Sequence, residues 1–239
     1  KAPLVLGHEI AGEVVEAGPG VERFRPGDRV MATHHVPCNT CRYCLDGNHS
    51  VCDTLRSTTF DPGGFAEFVR LPAINVDRGT FLLPPGMTAE EGSFLEPLAC
   101  VVRAQRIAGL RPAQSVLVLG AGISGVLHLQ LARAAGAGLI VAADVHPYRL
   151  EMSRRFGADE ALPADDDLPR RLREANGGRL ADQVYLCTAA PPAISLAFRC
   201  VERGGTVLVF AVPEPGVTYP VPLGDLWKDG VTIVHSYAG

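Results

Sequence analysis

A chain of 239 residues is long enough for two domains and a sizeable core. Hydrophobic residues make up 47% and charged residues 20%, and the net charge is −4, so neither nucleic acid nor an anionic membrane surface is an expected partner. No apolar run reaches the roughly 20 residues of a membrane helix. Seven cysteines, four of them between Cys38 and Cys52, indicate metal thiolates in a reducing compartment, and we expect a cytoplasmic protein.

The first ninety or so residues have the character of a β-rich domain. Alternating or apolar runs punctuated by Gly and Pro predict strands at 10–18, 28–33 and 65–71. From Thr88 the pattern becomes helical, with Thr88 and Glu91 forming a potential capping box. We place the domain boundary near Phe94, which gives domains at 1–93, with a cysteine-rich lobe at 37–53, and at 94–239.

Beyond that boundary, strands alternate with helices. The predicted strands are 116–119, 139–143, 183–187, 206–210 and 231–235, and helices are predicted after Ser124, Pro147 and Pro191. This alternation predicts an α/β domain with a doubly wound parallel sheet and right-handed crossovers.

A glycine-rich turn follows the first of these strands. Gly120 suits the tight turn, Gly122 lets a pyrophosphate approach the main chain, and Gly125 lets the next helix pack closely. Asp144 ends the following apolar run, where a carboxylate meets the adenosine ribose and repels a 2′-phosphate, so the expected cofactor is NAD. The other candidate cofactor contacts are Ile123, Ser124, Arg149 and Thr188.

The four clustered cysteines have the spacing of a metal site. Cys38, Cys41, Cys44 and Cys52 follow the pattern C-x2-C-x2-C-x7-C, which lets four thiolates close a tetrahedron around one zinc ion. Because such a site has no open position, its zinc would be structural. A pair of disulfides and an iron–sulfur cluster are the alternatives.

Two further segments carry side chains that can bind metal. His8 and Glu9 precede the first predicted strand, and Glu96 begins the segment EPLA near the domain boundary. Taken alone, a His-Glu pair is more often part of an ordinary surface than of a metal site, and Glu96 is more often a capping carboxylate. A junction between a cofactor domain and a β-rich domain is, however, where substrate clefts form.

These motifs together resemble one enzyme family. GHE, the four-cysteine loop, GGFAEF, EPLA and the glycine turn occur in that order over nearly the whole chain. The chain thereby resembles the zinc-dependent medium-chain dehydrogenases, nearest the sorbitol and threonine dehydrogenase branch. The resemblance implies a Rossmann domain beside a GroES-like catalytic domain.

The resemblance also implies a catalytic site. His8 and Glu96 would be ligands of a catalytic zinc, with Glu9 as an exchangeable ligand or a carboxylate just beyond the ligands. The polyol branch has Glu where the liver-type alcohol dehydrogenases have Cys. The implied activity is therefore hydride transfer from a secondary alcohol, a polyol or sugar alcohol, to NAD.

Members of the family carry one more ligand cysteine upstream of GHE and continue beyond the last sheet strand. We therefore expect this chain to be an internal part of a longer enzyme, a homodimer or homotetramer at full length. A threonine 3-dehydrogenase is the second interpretation, since His35 resembles a histidine that lines the substrate cleft in those enzymes. A catalytically silent scaffold that binds NAD and zinc is the third.

Overall fold

The computed structural model describes residues 5–212 and 214–239. Contacts divide the chain into two compact units, Lys1–Ala99 with Ala238–Gly239, and Cys100–Tyr237. The helix Leu95–Ala108 begins in the first unit and continues into the second, and the domain bounds of 1–93 and 94–239 stay a prediction. None of the described helices is long and apolar enough to cross a membrane.

The first unit contains a small antiparallel sheet. Its strands, in spatial order, are β1 (Ile10–Glu13), β2 (Arg29–Ala32) and β3 (Thr80–Leu82). Pairing places Ile10 opposite Ala32 and Glu13 opposite Arg29. The two predicted strands at 10–18 and 28–33 therefore form, in shortened versions.

The predicted strand at 65–71 is wrong. The described residues there form only an isolated bridge between Asp61 and Arg70. The amides of Gly64 and Phe65 instead donate to the carbonyls of Gly7 and Leu6, and the ring of Phe65 is 80% exposed. Backbone groups satisfied by a neighbouring loop are not available for a sheet ladder.

Short helices complete the first unit. They are α1 (Arg42–Leu45), a 3₁₀ turn (His49–Val51), α2 (Asp53–Ser57), α3 (Ala73–Arg78), α4 (Ala89–Ser93) and the start of α5 (Leu95–Ala108). The capping box is present: the Thr88 amide donates to Glu91 Oε2 at 2.8 Å and the Glu91 amide to Thr88 Oγ1 at 3.1 Å.

The second unit is the predicted doubly wound α/β domain. Its strands are β4 (Ser115–Leu119), β5 (Leu139–Asp144), β6 (Glu160–Pro163), β7 (Ala181–Leu186), β8 (Val201–Val209) and β9 (Thr232–His235). Its own helices are α6 (Ile123–Ala134), α7 (Pro147–Arg155), α8 (Leu168–Ala175), α9 (Pro191–Cys200) and α10 (Leu223–Asp229). The acidic run at 165–167, a predicted helix start, leads into α8, whereas β6 and α10 were not predicted from the sequence.

All six strands are parallel, in the order β6-β5-β4-β7-β8-β9. The order reverses at β4, whose two neighbours are β5 and β7, and such a switch point is where this class of sheet binds ligands. Every residue of β4 is buried, with Leu117 and Leu119 in the core on one face and Val116 and Val118 in the core on the other.

A histidine lies in the core of the second unit. His128, on α6, is fully buried between the rings of Tyr185 and Phe210, and Gln105 Nε2 donates to its carbonyl at 2.8 Å. Burial lowers the pKa of His128 from 6.5 to about 3, so the folded protein holds this imidazole neutral.

We expect this histidine to make the protein sensitive to acid. Below pH 6.5 the unfolded chain protonates His128 while the folded chain does not, so the free energy of unfolding falls, by roughly a few kcal/mol, between pH 6.5 and 3. Urea unfolding at a series of pH values should show a shallower fall in His128→Gln. His146→Gln, at an exposed position, is the control, and equal slopes in all three proteins would contradict the assignment.

Candidate functional site

The structure brings the four clustered thiols together. The Sγ–Sγ distances are 3.9 Å for Cys38–Cys44, 3.6 Å for Cys41–Cys44 and 3.6 Å for Cys38–Cys52. Four sulfurs bound tetrahedrally at about 2.3 Å from one zinc ion lie about 3.8 Å apart. The cysteines are free. In an iron–sulfur cluster the four thiolates bind two or four iron atoms, so they do not all converge on one point. The donor set therefore fits a single zinc ion.

The surrounding backbone favours thiolate at one of these positions. Hydrogen bonds from Thr40 and from the Cys41 amide lower the pKa of Cys38 to about 5, whereas burial raises the pKa of Cys44 to about 12. Cys44 and Cys52 pack with the fully buried Leu55. Without a cation the four thiols would not all be deprotonated. A bound metal ion would supply the positive charge that stabilises four thiolates this close together.

A second group of possible metal ligands lies elsewhere in the first unit. One ligand atom from each of His8, His34 and Glu96 lies within 4.8 Å of the other two. His8 Nε2 is 3.7 Å from Glu96 Oε2, and the two side chains are 51% and 13% exposed. Two imidazoles and a carboxylate are ligands typical of catalytic zinc.

His8 and Glu96 are each positioned by their local structure. Gly7 has a φ of +96°, and a Cβ there would stand 2.9 Å from the amide nitrogen of Phe65. A glycine is therefore needed where the GHE loop lies against the GGF segment. Glu96 lies in the first turn of α5.

His34 was not among the site residues predicted from the sequence. Its ring centroid is 4.5 Å from that of His8 and 3.8 Å from that of His35. Burial, His35 and His8 lower the pKa of His34 to about 3, and burial and His8 lower that of His35. Both rings are thus neutral, the form that binds metals. The adjacent pair of histidines ahead of Cys38 was the available signal.

Glu9 and His35 lie outside the group of three. Glu9 is exposed, and its role as an exchangeable ligand stays a prediction. His35 Nδ1 lies 2.9 Å from the carbonyl of Leu55, within α2, the helix that follows the cysteine-rich lobe.

The glycine turn in the second unit has the geometry of a phosphate-binding loop. A Cβ on Gly125 would stand 2.1 Å from the Gly120 carbonyl oxygen, so only glycine lets α6 begin this close to the turn. Gly122 is the residue before α6, and a Cβ built on it would have no other atom within 4 Å. Ile123 and Ser124 start that helix, whose first amides have no intrahelical partner and attract anions.

Asp144 is anchored to this turn. Its Oδ2 accepts from the amide of Ala121 and its Oδ1 from the amide of His146, both at 2.8 Å, and the side chain is 3% exposed. Arg149 Nη1 lies 3.6 Å from Oδ2 on the outer side, with its side chain 54% exposed. Thr188 lies beside the turn: a Cβ on Gly120 would be 2.9 Å from Thr188 Cβ.

Comparison with known proteins identifies both units. Residues 1–78 match the model of the alcohol dehydrogenase GroES-like domain, and residues 125–239 match that of the zinc-binding dehydrogenases. The chain belongs to the zinc-dependent medium-chain dehydrogenases.

Named relatives fall within the polyol and threonine branches of this family. Sorbitol dehydrogenase of Bacillus subtilis is 29% identical over 89% of this chain and 60% of its own length. L-threonine 3-dehydrogenase of Bacillus licheniformis is 32% identical over 98% of this chain and 66% of its own length. Galactitol-1-phosphate dehydrogenase of Escherichia coli superposes with a TM-score of 0.82 at 27% identity, covering 99% of this chain and 68% of that structure.

The chain thus spans about three fifths to two thirds of the curated relatives it matches. Family membership and the α/β fold with GroES-like and Rossmann domains, both expected from sequence, are confirmed. The assignment of individual residues to the catalytic and cofactor sites remains a prediction.

Removing one thiol should remove the structural zinc. In Cys41→Ser we expect the intact protein to lose about one zinc ion per chain and to unfold at lower temperature, because metal binding and folding of the lobe are linked. Elemental analysis and thermal unfolding measure the two effects, and Cys100→Ser, outside the cluster, is the matched control. A variant that keeps its zinc, or a brown, iron-containing protein, would contradict the assignment.

Proposed function

We propose that the intact protein is a zinc-dependent dehydrogenase that transfers hydride from a secondary alcohol to NAD. The observation that carries the proposal is the approach of His8 to Glu96 at 3.7 Å, beside a third possible ligand, in a chain that also contains a dinucleotide-type glycine turn. Zinc, when bound, supplies a positive charge that lowers the pKa of the substrate hydroxyl. NAD supplies the hydride acceptor.

The chain's own residues have positioning roles in this reaction. His8 and Glu96 hold the metal, and the half-exposed His8 leaves one side of the group open to a substrate. The amides at the start of α6 bind the pyrophosphate, where the helix dipole favours negative charge. Asp144 holds the adenosine ribose through lone pairs that the Ala121 and His146 amides leave unused.

The proposed substrate is a polyol or sugar alcohol. Glu96 gives the metal an oxygen ligand, and a harder site suits a substrate that offers a second oxygen, as a vicinal diol does. The sorbitol and galactitol-1-phosphate dehydrogenases among the relatives support this choice. L-Threonine is the second candidate, favoured by a relative that matches 98% of this chain.

Free thiols at all seven cysteines suit a reducing compartment, which supports the proposed cytoplasmic location. The homodimer or homotetramer proposed for the full-length enzyme can be measured by light scattering.

A substrate panel tests the proposed reaction. With NAD, the intact protein should give its highest kcat/KM on sorbitol, xylitol or an inositol, and lower values on L-threonine, 2,3-butanediol and ethanol. Glu96→Ala should lower kcat/KM by at least about 100-fold and leave NAD binding nearly unchanged, because the metal loses a ligand while the nucleotide site is intact. Glu90→Ala, on the neighbouring helix α4, is the control.

The highest kcat/KM on ethanol would refute the diol argument, and the highest on threonine would favour the second candidate. No turnover on any alcohol, with NAD and zinc both bound, would favour the scaffold interpretation.

The nucleotide preference is tested separately. Asp144→Ala should bring the affinities for NADH and NADPH closer together by about tenfold, since a negative charge that repels the 2′-phosphate is removed. Arg149→Ala should weaken NADPH more than NADH, because its exposed guanidinium offers the phosphate a partner. Fluorescence titration measures both, and tighter binding of NADPH by the wild-type protein would overturn the assignment.

A further inference from the structure

Arg103 ties helix α5 to the chain that leaves the sheet after β9. Its Nη1 donates to Ser236 Oγ at 2.9 Å and to the Tyr237 carbonyl at 3.4 Å. Arg103 and Ser236 are 133 residues apart in the sequence, and all three residues belong to the second unit. Because the two acceptors lie on successive residues, the guanidinium fixes the direction of the main chain there as well as its position.

A guanidinium is a demanding group to hold at this place. Arg103 is half-buried, and burial together with the nearby Arg106 lowers its pKa. Arginine stays charged nonetheless, and a charge taken partly out of water costs free energy unless hydrogen bonds compensate it. The bonds to Ser236 and Tyr237 offset part of that cost, so side chain and segment hold each other in place.

The tied segment lies at the edge of the sheet that carries the glycine turn. All the strands of this sheet are parallel, so the residues that follow them share one edge. Gly120 follows β4 and Thr188 follows β7 at this edge. The Ser236 amide donates to the carbonyl of Val209, the last residue of β8, and so continues the pairing beyond β9.

A dinucleotide on this edge has a defined direction. The glycine turn and Asp144 follow or end β4 and β5, where they would hold the pyrophosphate and the adenosine ribose. The nicotinamide half must then extend to the other side of the switch point, over the ends of β7, β8 and β9. Ser236 and Tyr237, just after the last of these strands, would border that half.

We propose that Arg103 is a positioning residue for the nicotinamide half of the cofactor, which it affects through Ser236 and Tyr237. None of these three residues was among the site residues predicted from the sequence. The proposal rests on the proposed function in taking a dinucleotide as the cofactor. Binding of the nucleotide can be measured without turnover and without a substrate.

Two ligands separate the halves of the cofactor. ADP-ribose contains the adenosine, the pyrophosphate and the second ribose of NADH but lacks the nicotinamide ring. In Arg103→Met of the intact protein we expect NADH to bind about tenfold more weakly, and ADP-ribose to bind within about twofold of wild type. Calorimetric titration measures both affinities. A merely structural role of Arg103 would disturb the domain as a whole and weaken both ligands.

Ser236→Ala removes the same bond from its other side and keeps the test available if Arg103→Met does not fold. It should also weaken NADH and spare ADP-ribose. The double variant should bind NADH no more weakly than Arg103→Met alone, because both changes remove one contact. Arg106→Met, an exposed arginine on the same helix, is the matched control and should bind both ligands as the wild type does.

This proposal and the proposed function can fail separately. Wild-type protein that binds neither NADH nor ADP-ribose would refute both. Wild-type protein that binds both ligands, with Arg103→Met weakening the two alike or weakening neither, would refute the role of Arg103 alone. Additive losses in the double variant would also overturn it.

Discussion

The antiparallel pairing of β1 with β2 is the constraint on which the candidate catalytic site depends. Its register decides which residue stands opposite His8 once the ladder ends, and that residue is His34. A shift by one residue would turn His34 to the other face of the sheet and leave a different side chain beside Glu96. The loop contact between Gly7 and Phe65, which needs glycine at a φ of +96°, fixes the position of the loop that carries His8 ahead of β1.

The cysteine-rich lobe supports the same region through the main chain. Leu55 is fully buried against Cys44 and Cys52, and its carbonyl lies 2.9 Å from His35 Nδ1. The Val36 amide also donates to Thr58 Oγ1 at 3.0 Å, just beyond α2. A zinc ion on the four thiols would thereby hold the segment that carries His34 and His35, although that zinc itself has no open position for chemistry.

In the second unit, the constraint is the close approach of α6 to the turn after β4. The 2.1 Å separation that a Gly125 Cβ would have from the Gly120 carbonyl leaves no room for any other residue. Asp144 then joins the turn to the end of β5, because its carboxylate accepts from Ala121 on one side and from His146 on the other. The same carboxylate is thus both a structural acceptor and the proposed ribose contact, with Arg149 Nη1 3.6 Å from its Oδ2.

Much of this protein follows from its sequence alone, because the signals concerned are local. The spacing of Cys38 to Cys52, the glycine turn and the alternation of strands with helices each depend on residues near one another in the chain, and the order of these motifs is specific enough to indicate the family. The strand predicted at 65–71 failed because the amides of Gly64 and Phe65 find partners in the distant Gly7 loop, which no local pattern reveals. The short edge strand β6 was missed because four residues ending in Pro163 give too little periodicity.

Only the tertiary structure could decide the group of possible metal ligands. His8, His34 and Glu96 come from a loop, a strand end and a helix start, and a sheet register together with a glycine contact brings them within 4.8 Å. Residue type told us that each could bind a metal. Which of them meet was decided by long-range backbone pairing, since a side chain's neighbours across a sheet depend on register and not on position in the sequence.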